Sequence, residues 1–191
     1  MASASLIQQN NYQIMPWKNG QGLTAQIDLC LDPPSSSKNF AWKLSAATVK
    51  SESSFSRFPK MQRILVVWKG QGLWLNENLL NPFEPITFSG EKEIQCRLLQ
   101  GEVLDLGLIY NPLKVDASLK IYSLVDQQSL LKLNFEEGTH YVIAAEADVI
   151  AHDILVKNGD TLKVVGALNM SVRSVLPAKA RIFVVSVINR D

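Results

Sequence analysis

The chain has 191 residues, with 19 Lys plus Arg against 18 Asp plus Glu and a formal net charge of +1. Its 47% apolar residues, 19% charged residues and four Trp support a sizeable core and exclude disorder, collagen-like repeats and coiled coil. A near-neutral chain has no general electrostatic attraction for nucleic acid or anionic lipid, so neither is expected as a partner.

The N-terminal stretch MASASLIQQNNYQ has neither a basic start nor an apolar run of signal-peptide length. No segment approaches the ~18 consecutive apolar residues of a membrane span; the longest obvious run is 64–68. A cytoplasmic location is therefore expected. Residues 32–37, with Pro33 and Pro34, are excluded from a central strand because two prolines remove ladder donors. Residues 40–49 alternate, with Phe40, Trp42, Leu44, Ala46 and Thr48 on one face and Ala41, Lys43, Ser45, Ala47 and Val49 on the other. Strands 63–69 and 73–75 flank Gly70-Gln71-Gly72, which reads as a tight glycine turn. Ile94, Cys96 and Leu98 alternate with Gln95 and Arg97, and 104–109 alternates again.

The later strands are expected at 119–124, 141–145, 154–156, 161–165 and 181–188, with Asn158-Gly159-Asp160 as a further turn. One helical turn or two is expected over 126–133, where Asp126 could cap a run containing Leu130, Leu131 and Leu133. About ten short, evenly spaced strands argue for an all-β sandwich or barrel. Near Asn111-Pro112 the glycine and aromatic density falls, which divides the chain into halves at 12–110 and 111–190. Halves of ~80 residues would make marginal independent cores, so a single unit of two half-barrels is expected.

Cys30 and Cys96 are too few and too far apart for a CxxC site, and read as two buried thiols in a reducing compartment. With only His140 and His152, and no HxH or HExxH pattern, no metal is expected. Neither Gly20-Gln21-Gly22 nor Gly70-Gln71-Gly72 is a phosphate-binding fingerprint, so no cofactor is expected. The unusual segment is Met15-Pro16-Trp17-Lys18-Asn19-Gly20-Gln21-Gly22-Leu23-Thr24. It reads either as a glycine-rich entry into the first strand or as a pocket wall. In the second case Trp17 is a wall, and Lys18 and Asn19 are donors for an anionic ligand.

That segment and several later ones, in the same order, resemble the HutD/Ves family. They are MPWKNG at 15–20 followed by Thr24, Phe40-Ala41-Trp42-Lys43-Leu44-Ser45-Ala46-Ala47, and Ser54-Phe55-Ser56-Arg57-Phe58-Pro59 with Arg63. Residues 82–91, and Cys96-Arg97-Leu98-Leu99-Gln100-Gly101 with Asp105, complete the set. The resemblance covers roughly residues 12–110. It implies a cupin-like double-stranded β-helix in two halves, a bicupin. It also implies a link to bacterial histidine utilisation, through binding of an intermediate such as formylglutamate or formiminoglutamate, or to stress response for Ves-type members. No established catalytic activity accompanies it. This chain has Lys43 where the family usually has Arg, and it departs also at Gln21, Lys60 and Gly107.

Strand periodicity puts Lys43 and Ser45 on one face of 40–49, and Asp105 and Gly107 on one face of 104–109. A polar face on an apolar barrel strand suits a mouth that holds a small ligand. Lys43, Ser45, Arg63 and Asp105 could converge there with Trp17, Lys18, Asn19 and Thr24. Two cations would face a dicarboxylate and Asp105 would accept from an amide or formimino N–H. The leading expectation is a metal-free, non-catalytic protein that binds a small anionic metabolite. The alternative is a metal-independent isomerase or hydrolase with Asp105 as acid or base and Lys43 or Lys18 stabilising negative charge. A partner-binding role through a sheet edge, including a homodimer, is left open.

Overall fold

The computed structural model describes residues 1–17, 22–33, 39–125, 129–176 and 179–190. Alternating, β-branched sequence gives an all-β chain. Its strands are β1 (Ser3–Ile7), β2 (Gln13–Pro16), β3 (Gly22–Leu31), β4 (Phe40–Val49), β5 (Ser53–Ser54), β6 (Gln62–Lys69), β7 (Leu73–Leu75), β8 (Asn78–Leu80), β9 (Ile86–Ser89) and β10 (Gln95–Leu98). There follow β11 (Val103–Tyr110), β12 (Val115–Leu124), β13 (Leu131–Phe135), β14 (Thr139–Ala144), β15 (Val149–Ala151), β16 (Ile154–Val156), β17 (Thr161–Val165), β18 (Leu168–Ser174) and β19 (Ala180–Asn189). The helical structure among the described residues is a single 3-10 turn, Gln9–Asn11. Among the described residues no helix is long and apolar enough to cross a membrane.

Two compact units form. One is Tyr12–Val115; the other joins Met1–Asn11 to Asp116–Asp191. Each is a pair of antiparallel sheets in the cupin-like double-stranded β architecture. In the Tyr12–Val115 unit a six-stranded sheet, β2-β3-β4-β11-β6-β9, accompanies a four-stranded one, β5-β10-β7-β8. Val49, Leu65, Val67, Leu73, Cys96 and Val103 fill the core of this unit. In the other unit β1-β17-β14-β19-β12 accompanies β13-β18-β15-β16, around Val142, Ala144, Leu162, Val172, Ile182 and Val184.

Three expectations are corrected. Over the described part of the expected helix, 129–133, no helix forms, because Leu131–Phe135 is a strand paired with β18. Leu133 and Phe135 of that strand enter the core at period two, which outweighs the local leucine spacing. Residues 126–128, including the Asp126 cap, lie outside the described residues. The turn at Gly70-Gln71-Gly72 does not close a hairpin: β6 and β7 belong to different sheets, so the glycines, with φ of 106° and 135°, carry the chain from one sheet to the other. Lastly, of the two cysteines Cys96 is buried and Cys30 is half-buried.

Candidate functional site

The central strands of the six-stranded sheet bring the polar faces together. β11 pairs Asp105 with Ala47 of β4 and Val67 of β6, Gly107 with Ser45 and Leu65, and Ile109 with Lys43 and Arg63. Directly opposite residues share a face, so these nine side-chain positions form one patch in three rows. A bulge at Trp68 interrupts the β6–β11 ladder, since Lys69 pairs with Leu104 while Val67 pairs with Asp105. The extra residue turns Lys69 to the other face and leaves it exposed, so apolar Val67 ends the inward row beside Asp105.

A cavity of about 170 Å³ opens on that patch. It is lined by Lys43, Ser45, Ala47, Asp105, Gly107 and Ile109 from the sheet, with Arg63, Trp17 and Thr24, and by Ser54, Phe55, Ser56 and Phe58 across it. The size is comparable to the ~150 Å³ of an apolar cavity that accepts benzene, and suits a small metabolite. The segment across the cavity is tethered at both ends. The Phe55 amide donates to the Ile94 carbonyl at 2.9 Å, and the Phe58 amide donates to the Gly90 carbonyl at 2.7 Å.

Trp17 is held by its ring and its backbone. Its indole Nε1 donates to Thr24 Oγ1 at 2.9 Å, and its amide donates to the Gly22 carbonyl at 3.0 Å. Gly22 makes the approach feasible, because a Cβ there would lie 2.4 Å from the Thr48 carbonyl oxygen and 2.9 Å from the indole. Of the eight residues named from sequence, Trp17, Thr24, Lys43, Ser45, Arg63 and Asp105 line this one cavity. Lys18 and Asn19 lie outside the described residues.

The electrostatics are those of charges partly removed from water. Arg63 sits among three rings, its guanidinium carbon 4.7 Å from the Phe55 centroid, 5.4 Å from Phe88 and 5.8 Å from Phe58. Its Nη1 reaches the Ser56 carbonyl at 3.4 Å. Burial pulls the pKa of Arg63 down, while the Asp105 charge opposes that fall. Burial also pulls Lys43 down. Asp105 is 4% exposed. Burial raises its carboxyl to about 7, with the Arg63 charge holding it back. Among the described residues no hydrogen bond or ion pair holds the Asp105 or Lys43 side chain.

The apolar wall is not among the site residues expected from sequence. Phe55 and Phe58 were visible in the Ser54–Pro59 stretch, and their spacing about Arg63 is a cation–π arrangement rather than ordinary core. Gly107, which strand alternation places on the face of Asp105, lines the cavity as well. The histidines do different work. His140 is buried in the other unit, stacked on Phe135 at 4.3 Å, with Nδ1 2.9 Å from Ser186 Oγ and Nε2 3.0 Å from the Glu136 carbonyl. No group of three or more His, Cys, Asp and Glu side chains among the described residues could hold a metal ion.

The family model described as HutD matches residues 9–181. An uncharacterized 21.2 kDa protein in the hutC 3′ region of Pseudomonas putida is 37% identical over 125 residues, 63% of this chain and 65% of that protein. Protein Ves of Escherichia fergusonii is 32% identical over 92 residues, 46% of this chain and 47% of that protein. The chain thus spans between about half and two thirds of the length of these curated relatives. The structure of HutD from Pseudomonas fluorescens SBW25 superposes with a TM-score of 0.83 at 28% identity, covering 99% of this chain and all of that one.

Proposed function

The chain belongs to the HutD family, and we propose that the cavity of its Tyr12–Val115 unit binds a small carboxylate metabolite of the formylglutamate class, without a metal. The protein then serves histidine utilisation as an accessory or regulatory binder, a reading supported by the relative in the hutC 3′ region of Pseudomonas putida. One observation carries the chemistry. Two partly dehydrated cations, Lys43 and Arg63, line the same small cavity as a buried carboxyl that no described residue hydrogen-bonds. Dehydrated charges are costly unless compensated, and a carboxylate with an adjoining N–H compensates all three at once.

An isomerase or hydrolase is the second reading, and one observation favours it: Asp105 at about 7 is matched to giving and taking protons near neutrality. A single panel tests both. Formylglutamate, formiminoglutamate, glutamate and urocanate are added to the purified protein and its thermal midpoint is recorded. A ligand at about 100 times its Kd adds about 2.7 kcal/mol of stability, roughly 5–10 °C for a chain of this size. The shift is expected for formylglutamate or formiminoglutamate and is expected to vanish in Lys43→Ala. Silence from the whole panel would refute the binding reading. Product detected by mass spectrometry, lost in Asp105→Asn with binding kept, would select the enzyme.

A further inference from the structure

In the unit that holds Asp116–Asp191, His140 of β14 and Ser186 of β19 stand directly opposite each other. Directly opposite residues share a face, and the next pairs along that face, Val142 with Val184 and Ala144 with Ile182, are core. The inward apolar rows therefore end in two polar side chains, and a cavity of about 460 Å³ opens beside them. Phe135 and Ile188 give this cavity an apolar wall, and Ser118, Lys120 and Asn134 bring side-chain donors to it.

The hydrogen bonds fix which atom does what. His140 Nε2 lies 3.0 Å from the Glu136 carbonyl, which only accepts, so Nε2 carries the ring proton. Nδ1 is then the acceptor, and the Ser186 hydroxyl donates to it at 2.9 Å, within the reach of a nucleophile and its base. The ring is held flat on Phe135, the centroids 4.3 Å apart. Burial lowers the His140 pKa, against the pull of the Glu136 carbonyl and of the Glu136 and Glu137 charges, which keeps the ring in its neutral, accepting form. His140 is 1% exposed, whereas Ser186 is half-buried and lines the cavity. A hydroxyl that only satisfied a buried histidine would need no such access.

We propose that Ser186 and His140 are a nucleophile and its base, and that this second cavity hydrolyses small acyl esters or thioesters. Ser186 Oγ attacks the acyl carbon while its proton passes to His140 Nδ1. Nδ1 returns that proton to the departing alcohol or thiol as the C–O or C–S bond breaks. Water, losing a proton to the same nitrogen, then cleaves the acyl–Ser186 ester, which releases the free acid and restores the hydroxyl. Ser118, Lys120 and Asn134 are the donors lining the cavity in which the oxyanion forms. The activity is separate from the carboxylate-binding reading above and does not rest on it.

The test treats the full chain with an alkyl fluorophosphonate, which phosphonylates activated serines, and maps the adduct by mass spectrometry. A single adduct is expected, on Ser186, and none in Ser186→Ala. Its rate is expected to fall at least about 100-fold in His140→Gln, the usual worth of a general base. Wild-type protein is also expected to hydrolyse p-nitrophenyl acetate at least about tenfold faster than Ser186→Ala. Should His140→Gln fail to melt cooperatively, Ser186→Cys takes its place. The thiol it introduces is expected to react with iodoacetamide at least about tenfold faster than Cys30 and Cys96 of the same chain, because His140 draws off its proton. No adduct on Ser186, an equal labelling rate in folded His140→Gln, hydrolysis no faster than in Ser186→Ala, or an introduced thiol no faster than Cys30 would overturn the inference.

Discussion

Asp105→Asn is expected to stabilise the protein more at pH 8 than at pH 5, by about 2–3 kcal/mol, or roughly 5–10 °C in thermal midpoint. Asp105 is 4% exposed and its carboxyl is raised to about 7, burial being the larger cause and the Arg63 charge a partial relief. An unfolded aspartate ionises near 3.9. Between about pH 4 and pH 7 the folded state therefore holds a proton that the unfolded state has released, and stability falls as pH rises through that window. Above pH 7 both states are ionised and the penalty is constant. Asparagine keeps the shape and never ionises, so it escapes the penalty. The measurement is thermal unfolding of both proteins from pH 4 to pH 9. A difference that does not change with pH would mean that the Asp105 carboxyl is not perturbed.

Removing the half-buried Arg63 charge acts on the ligand more than on the fold. Arg63→Met places an unbranched, polarisable chain among Phe55, Phe58 and Phe88, the three rings now facing the guanidinium. The variant is expected to fold and to bind formylglutamate at least about 30-fold more weakly, since losing one partner of a desolvated charge pair costs ~2–5 kcal/mol. A second consequence is independent of any ligand. The Arg63 charge lowers the Asp105 pKa, so without it the carboxyl titrates higher still and the loss of stability extends to higher pH. Calorimetric titration and the pH dependence of the melting temperature read these two effects separately. Wild-type affinity in Arg63→Met would remove Arg63 from the site.

The strands were legible wherever one face of a sheet is apolar and the other is not. Residues 40–49 alternate, and Phe40–Val49 is the observed strand; Ile154–Val156 and Thr161–Val165 also match their expected bounds. The same alternation set Lys43 and Ser45 on one face and Asp105 and Gly107 on another, and the cavity opens on both. What periodicity could not supply is the pairing between distant segments. Nothing local shows that Ile109 stands between Lys43 and Arg63, or that a bulge at Trp68 turns Lys69 away from the inward row. The Phe rings about Arg63 come from two separate stretches, 54–59 and β9, so their meeting is a property of the fold alone. At 131–133 the leucines fit one helical turn as well as a strand, and only the core that accepts Leu133 and Phe135 decides between them. The strand β1, Ser3–Ile7, pairs with β17 more than 150 residues away, a partner no window on the sequence reveals.

The most direct test is a crystal structure of the protein with millimolar N-formyl-L-glutamate. The ligand is expected in the cavity of the Tyr12–Val115 unit, its carboxylate within about 3.2 Å of Lys43 Nζ and the Arg63 guanidinium, and its N–H on Asp105. A cavity holding only solvent at that concentration, or the ligand bound elsewhere on the chain, would contradict it.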